Sequence, residues 1–275
     1  MTINVGFIGL GAIGRPMALR LASDPAFDLV VYDVAPEPVA ELVAAGARAA
    51  DTVADCVVQT DVVCVMVRDD DQVRAIAAEI VACRWMSVVV VHSTIAPWTA
   101  VDLERMGLLV LDAPVSGGPM GAANGSLAIM VGGDTVAYAT AEPVLERLGS
   151  TVVHAGELGA GTRMKLARNL IHFVSFTAVT EAQRLAEAAD LDLLALGRVV
   201  RHTDAVTGGP GAIMHRETTA PLDEDDFWWA VFDHVRALGE KDLTYAIELA
   251  AALGIEVPLA RLARANLAQG LGLQP

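Results

Sequence analysis

Lysine is rare in this chain, and the two positions that keep it are the first candidates for chemistry. Of the 19 basic residues in the 275-residue sequence only two are lysines, Lys165 and Lys241. Arginine keeps its proton in proteins, whereas a lysine amine removed from water can release or accept one. Asn169 follows Lys165 by four residues, and residues at that spacing share one helix face. Lys165 is therefore the candidate acid or base.

Hydroxyl groups and glycines follow two of the apolar runs. Ser116, Gly117 and Gly118 come shortly after one run, and Ser93 and Thr94 come directly after another. Open α/β sheets bind their ligands at the carboxyl ends of their strands. The hydroxyl of Ser116 and the amides of the two glycines are suited to holding a carboxylate, so these segments are predicted to bind substrate.

The N-terminal segment contains a glycine pattern typical of dinucleotide binding. A short apolar run, residues 5–8, leads into Gly9, Leu10, Gly11, Ala12, Ile13 and Gly14. In such a pattern the first glycine permits a tight turn, the second lets a pyrophosphate approach the backbone, and the third lets a helix pack on the strand. The helix N-terminus adds positive charge. The pattern predicts a nicotinamide dinucleotide site.

Asp33 bears on which dinucleotide is bound. It ends the second apolar run, at the distance where a carboxylate accepts hydrogen bonds from the ribose hydroxyls of NAD. The 2′-phosphate of NADP would meet this negative charge, and Glu37 adds another. Residues 34–38 contain no arginine or lysine that could hold a phosphate. The expected cofactor is NAD, with NADP less favoured.

The elements that must position these residues change character midway along the chain. Short apolar runs alternate with helical stretches up to about residue 155, the pattern of βα units. Beyond Gly161 only helical patterns follow, over residues 163–189, 191–202, 225–253 and 258–268. Strands are expected at residues 5–8, 29–32, 62–67, 87–91, 108–111, 127–131 and 151–154. We predict an α/β Rossmann domain with a doubly wound, mostly parallel sheet over residues 1–161. An all-α substrate and dimerisation domain is expected over residues 162–275.

Composition excludes several classes of partner. A formal net charge of −15, spread along the chain, argues against binding nucleic acid or an anionic membrane surface. No apolar run approaches the roughly 20 residues of a membrane-spanning helix, and the first residues do not resemble a signal peptide. We expect a cytoplasmic protein with a small-molecule partner. The three cysteines are expected to be reduced core residues, and the six histidines show no metal-binding spacing.

Several motifs in the same order resemble the β-hydroxyacid dehydrogenase family. This family includes 3-hydroxyisobutyrate dehydrogenase and the N-terminal part of 6-phosphogluconate dehydrogenase. The resemblance covers nearly the full chain and rests on residues 6–18, 93–95, 112–118, 125–133, 159–169 and 241–243. It implies hydride transfer between a nicotinamide cofactor and a small β-hydroxy acid, with Lys165 as general acid or base.

The resemblance also implies roles for other residues. Substrate contacts are implied for Ser116, Gly117, Gly118, Asn169, Thr94, Lys241 and Asp242. Cofactor contacts beyond the glycine motif and Asp33 are implied for Met66, Val67, Thr94 and Lys241. A homodimer or homotetramer is the family's expectation. No metal is implied.

Departures from the family concern the substrate. Arg168, three residues after Lys165, stands where relatives carry Asn, and His234 and Arg236 stand where Phe and Leu are expected. With His172 they favour a more polar pocket, although Arg168 and His172 could equally face solvent. Two other functions stay open, an imine reductase of the same fold and a non-catalytic dinucleotide-binding protein. Lys165 argues against the first, and its presence with Ser116 and Asn169 argues against the second.

Overall fold

The computed structural model describes residues 2–273. The chain divides into two compact units, Met1–Arg168 and Asn169–Pro275. The sequence-based boundary after residue 161 lies near the start of a long helix, and the division between the compact units falls within that same helix.

The first unit is built on one sheet of nine strands. The strands are β1 Ile3–Ile8, β2 Phe27–Tyr32, β3 Arg48–Ala49, β4 Val62–Val65, β5 Val88–Val91, β6 Leu109–Asp112, β7 Val115–Ser116, β8 Leu127–Gly132 and β9 Gly149–Gly156. Their order is β3-β2-β1-β4-β5-β6-β8-β7, with β9 paired to β8. Pairing is parallel from β3 to β6, whereas β8 runs antiparallel to β6 and β7. The predicted Rossmann architecture with a mostly parallel sheet is confirmed.

Helices cover both faces of this sheet. They are α1 Gly14–Ala22, α2 Pro36–Ala44, α3 Val53–Val57, α4 Asp70–Cys83, α5 Pro97–Arg105, α6 Gly118–Asn124 and α7 Thr135–Leu148. One buried cluster includes Phe7, Met17 and Leu145, and the other includes Ile8, Cys56 and Leu103. Because both faces are covered, β4 and β5 consist of apolar residues at consecutive positions, and every one of them is buried.

The strand order reverses between β1 and β4, and this point locates the expected ligand site. Starting from β1 the chain first adds β2 and β3 on one side and then crosses to add β4 on the other. Ligands of doubly wound sheets bind where the order reverses, at the carboxyl ends of the strands. The glycine motif directly follows β1, and Met66 and Val67 directly follow β4. The fold therefore places both segments at this crevice.

The second unit is helical, as the sequence predicted. Its elements are the long α8 Ala160–Ala188, which begins in the first unit, then α9 Leu193–Thr207, α10 Phe227–Ala252 and α11 Pro258–Gly270. Residues 209–213 form a 3₁₀ turn. Trp228, Trp229 and Phe232 pack with Leu222 and Leu271, in keeping with a packing role. No helix among residues 2–273 is long and apolar enough to cross a bilayer.

Three details differ from the sequence-based expectations. Strands β3 and β7 were not expected, because two residues are too short to show a period of two. Asp192 caps α9 through the amides of Leu194 and Ala195, so this helix begins at Leu193 rather than at residue 191. Cys83 was expected in the core but lies half-exposed, whereas Cys56 and Cys64 are buried.

Candidate active site

The turn between β1 and α1 has no room for side chains at two of its three glycines. Gly9 adopts a φ of +97°, and a Cβ there would overlap the carbonyl oxygen of Met66. A Cβ on Gly14 would overlap the carbonyl oxygen of Gly9. Gly11 differs, because an added Cβ would meet no atom within 4 Å. The protein's own backbone requires Gly9 and Gly14, while Gly11 faces open space that a ligand could fill.

A cavity of about 710 Å³ lies over this turn. This volume falls within the range of about 300–1,000 Å³ common for small-molecule and cofactor sites. Eight of the residues predicted to bind cofactor line it, namely Gly9, Gly11, Ala12, Ile13, Gly14, Asp33, Met66 and Val67. Leu10 lines a neighbouring cavity of about 370 Å³, together with Gly11, Ala12 and Arg15. The open space above Gly11 and the size of the main cavity fit a dinucleotide.

Asp33 is held in place by backbone amides at the edge of this cavity. One carboxylate oxygen accepts from the amide of Leu10 at 2.5 Å, and the other accepts from Ala35 at 2.8 Å. The first bond joins the end of β2 to the glycine turn. Each carboxylate oxygen can accept more than one hydrogen bond. Asp33 can thus order the turn and still accept from a ribose hydroxyl.

The ends of β4 and β5 are tied together by a serine. The Ser93 hydroxyl donates to the carbonyl of Val67 at 2.6 Å and accepts from its amide at 2.9 Å. The sequence pattern predicts that Ser93 and Thr94 bind a ligand together, but the Ser93 hydroxyl is hydrogen-bonded to the main chain instead. Thr94 is exposed on the same segment. Ser93 therefore shapes the cavity wall, a role that its sequence pattern could not reveal.

Lys165 lies on α8 with its ammonium group against the segment that follows β6. The Nζ donates to the carbonyl oxygen of Val115 at 2.6 Å and to Ser116 Oγ at 2.7 Å. The residue is only 7% exposed. These partners are 50 and 49 residues away in sequence, so the fold has brought two of the predicted motifs together. We call Lys165 with the Val115 carbonyl and Ser116 the lysine site.

The charge of Lys165 is destabilised by its surroundings. Burial, and then the positive charge of Arg168, lower the pKa of the Lys165 amine from 10.5 to about 8. The sign is the expected one, because desolvation and a like charge both disfavour the protonated form of an amine. At pH values near 8 the protonated and neutral amines coexist, which an acid–base group requires.

Asp112 is a residue whose contribution sequence analysis missed. The sequence marks it only as the first residue of a family motif, yet its carboxylate is fully buried and accepts from the amides of Gly159 and Thr162 at the start of α8. An acidic residue at the end of an otherwise apolar strand was the available signal. Gly117 and Gly118 follow Ser116 with φ values of +133° and +63°, so the turn there requires glycine.

The remaining predicted residues belong to the second unit. Asn169 lies half-buried on α8, one turn after Lys165. Lys241 and Asp242 are exposed on α10, and their charged groups pair with each other at 3.2 Å. Their roles at the site stay predictions. No group of three or more potential metal ligands occurs within the described part of the chain.

Two family models match most of this chain. One, described as the NAD-binding domain of 6-phosphogluconate dehydrogenase, matches residues 4–156. The other, described as NAD-binding of NADP-dependent 3-hydroxyisobutyrate dehydrogenase, matches residues 159–272. The chain belongs to the β-hydroxyacid dehydrogenase family. As a family member it is an NAD(P)-dependent oxidoreductase.

Individual family members show how closely this chain is related to them. An NAD-dependent L-serine dehydrogenase of Pseudomonas aeruginosa is 35% identical, over 94% of this chain and 89% of that protein. A 3-hydroxyisobutyrate dehydrogenase of the same organism is 32% identical, over 95% and 90%. The crystal structure of a putative oxidoreductase from Mycobacterium avium is 48% identical and superimposes with a TM-score of 0.94, covering 98% of this chain and 99% of that one.

Proposed function

We propose that this protein is an NAD-dependent dehydrogenase of a small β-hydroxy acid, with Lys165 as the general acid and base. The observation that carries the proposal is the buried Lys165 amine, bonded to both Ser116 Oγ and the Val115 carbonyl. A lysine on the surface would be hydrated and would keep its proton, whereas this amine is 7% exposed and can exchange one. Two of the relatives described above are named for L-serine and for 3-hydroxyisobutyrate, and each of these acids carries a hydroxyl group on its β-carbon.

The hydrogen bonds of Lys165 suit proton transfer in both directions. A neutral amine has two hydrogens, and the Val115 carbonyl and Ser116 Oγ accept both. Its lone pair is then left to accept the proton of a substrate hydroxyl. A protonated amine has three hydrogens, so one is left to donate to a substrate carbonyl. The same two contacts hold the group in its basic and in its acidic form.

The substrate carboxylate is proposed to bind at Ser116, Gly117 and Gly118. Because Ser116 Oγ accepts from Lys165, its own hydrogen can point to another acceptor. A carboxylate there would receive the Ser116 hydroxyl and the amides of the glycine turn, and bonds to charged groups are the stronger kind. Asn169, one helical turn beyond Lys165, is proposed to hold the substrate as well. Contacts from Thr94, Lys241 and Asp242 are carried over from the family.

The cofactor is proposed to be NAD rather than NADP. Its chemistry, when bound, is to accept or supply a hydride at the substrate carbon. The Asp33 carboxylate lies in the cavity wall and would repel a ribose 2′-phosphate. Arg68 also lines the cavity, but its guanidinium pairs with Asp69 at 3.2 Å. The serine dehydrogenase relative is named as NAD-dependent, which agrees with this choice.

The proposed oxidoreductase is expected to work as a homodimer or a larger homo-oligomer. Residues 170–179 of α8 include Leu170, Phe173, Phe176 and Val179, which are exposed and point to different sides of the helix. A group of exposed large apolar side chains of this kind is typical of a protein–protein contact. Phe173→Glu should lower the mass measured by light scattering, whereas Val136→Glu, at an exposed apolar residue of the first unit, should leave it unchanged. A wild-type monomer at micromolar concentration would contradict this part of the proposal.

The test of the proposed function is a pH series with both cofactors and a panel of hydroxy acids. Oxidation needs the neutral amine of Lys165, so its rate should rise with pH and level off above a pKa near 8. Reduction needs the protonated amine, so its rate should fall above that pKa. Proline-type imines serve as the alternative substrates. Turnover of imines and of no hydroxy acid would overturn the proposal.

A further inference from the structure

The carboxylate of Asp112 joins the end of β6 to the beginning of α8. Its Oδ1 accepts from the Gly159 amide at 2.7 Å, and its Oδ2 accepts from the Thr162 amide at 2.6 Å. The first amides of a helix have no acceptor within the helix. Many helices are capped by the residue just before them, but Gly159 has no side chain with which to do so. Asp112, 47 residues earlier, supplies the missing acceptor.

Two glycines let the first turn of α8 approach this carboxylate closely. A Cβ on Gly132 would overlap Asp112 Oδ1 and lie 2.7 Å from the Gly161 amide nitrogen. A Cβ on Gly161 would overlap the carbonyl oxygens of Met130 and Asp112. The first turn of α8 therefore lies directly on the backbones of β6 and β8. Asp112 is 0% exposed, so water cannot replace it as the acceptor for the two amides.

The same two segments meet again at the lysine site. Four residues after Asp112 the chain reaches Ser116, and just beyond the first turn of α8 it reaches Lys165. Lys165 Nζ then bonds Ser116 Oγ at 2.7 Å. A lysine side chain has four flexible carbons, so fixing its amine on a given acceptor depends on a fixed backbone at its base. The bonds of Asp112 fix that backbone.

We propose that Asp112 is a positioning residue for Lys165: by holding the first turn of α8 it keeps the amine against Ser116 and the Val115 carbonyl. This inference rests on the proposed role of Lys165, but it concerns a residue that touches neither substrate nor cofactor. Asp112 acts through the position of the helix and not through its charge.

The test uses Asp112→Asn, which keeps the shape of the side chain. Asparagine presents an NH₂ group to one of the two amides, so that bond becomes a repulsive contact. We expect kcat to fall by about tenfold or more, since a shift of about 1 Å in a reacting group can cost about a hundredfold. The Kd for NAD, measured by quenching of tryptophan fluorescence, should change less than about twofold. Hydrogen exchange in residues 159–165 should become faster.

The pH profile separates positioning from electrostatics. If Lys165 loosens and becomes more solvated, its pKa should move from about 8 toward 10.5. If Asp112 acted through its negative charge, removing that charge would lower the pKa of the amine instead. A shift of the oxidation profile to higher pH therefore supports the proposal. A shift to lower pH overturns it.

Glu181→Gln is the matched control. Glu181 is also a buried carboxylate, and it accepts from the amides of Leu259 and Ala260 at the start of α11, within the second unit. Its substitution should lower the melting temperature without changing kcat or the pH profile. Asp112→Ser, which can accept one amide at most, is a second variant. If both Asp112 variants lose the fold, Asp112 supports the whole unit, and the positioning role is rejected. Wild-type kinetics in Asp112→Asn, with Lys165→Met inactive, would refute this inference and leave the proposed function intact.

Discussion

The cofactor cavity and the lysine site lie in the same compact unit but are built from different parts of the chain. Backbone dominates the cavity: Gly9 and Gly14 are needed because other main-chain atoms occupy the space of their side chains, and Asp33 is held by two amides. The lysine site instead depends on one flexible side chain that must reach Ser116. Substitutions should therefore separate cofactor binding from turnover, and four predictions test that separation.

Lys165→Met should have the largest effect on turnover. Methionine is similar in length but has no proton to exchange, so kcat should fall by at least about 10²-fold, the usual scale for losing an acid–base group. The Kd for NAD, measured without substrate, should stay close to that of the wild type. Lys165→Arg is the matched control for charge and should also be inactive, because arginine keeps its proton. Near wild-type turnover in either variant would eliminate Lys165 as the acid–base group.

Removing the substrate's carboxylate charge should have the next largest effect. A hydrogen bond to a charged group contributes about 1.5–3 kcal/mol, which is about tenfold to a hundredfold in kcat/KM. The methyl ester of a good substrate should be poorer by that factor. Ser116→Ala should narrow the gap between acid and ester by lowering the rate for the acid. Equal kcat/KM for acid and ester in the wild type would remove Ser116 and the glycine turn as a carboxylate site.

Asp33→Ala, in the cofactor cavity, should weaken cofactor binding more than it lowers turnover. We expect NAD binding to weaken by about thirtyfold, since two hydrogen bonds of about 1 kcal/mol each would be lost. The preference over NADP should shrink, because the carboxylate no longer repels a 2′-phosphate. At saturating NAD, kcat should remain within about twofold of the wild type. A wild-type enzyme that prefers NADP would contradict the assignment of Asp33.

The two regions also differ in how far the sequence could predict them. Nearby main-chain atoms require glycine at positions 9 and 14, and this requirement is visible in the sequence as a short local motif. The turn and its cavity could therefore be located from consecutive residues. The scarcity of lysine and the helical spacing to Asn169 identified Lys165 as a candidate. No local sequence feature indicates that its amine contacts a carbonyl 50 residues away. The same holds for Asp112 and Ser93, whose partners lie on distant segments. Tertiary hydrogen bonds have no fixed spacing, so only the fold reveals them.

The structure gives different surroundings to the residues that were expected to make the substrate pocket more polar. Arg236 bonds to Asp233 at 2.7 Å and Glu240 at 3.0 Å along its own helix, and these acids raise its pKa further. Its charge is thus already balanced within α10. His172 packs against the ring of Phe176, with ring centres 4.3 Å apart. Among the departures from the family, Arg168 is the one whose charge acts on the lysine site, because it lowers the pKa of the Lys165 amine.

Arg168→Asn should have the smallest effect on turnover but a specific one on substrate choice. The Arg168 guanidinium is near enough to Lys165 to lower its pKa, and it lies three residues along the same helix. A planar guanidinium can hold a second carboxylate by two parallel hydrogen bonds, which asparagine cannot do. We expect the wild type to prefer a hydroxy-dicarboxylate over 3-hydroxyisobutyrate in kcat/KM, and the variant to lose that preference by about tenfold.

The pH profile shows whether Arg168 acts on the lysine site at all. Without its positive charge the pKa of Lys165 should rise, since a like charge no longer disfavours the ammonium form. The oxidation profile should then move to higher pH for every substrate, whichever acid is best. A moved profile with unchanged substrate ratios would assign Arg168 to tuning Lys165 alone and reject the second-carboxylate role. An unmoved profile with unchanged ratios would make Arg168 a surface residue, and the lysine site would then depend on burial alone.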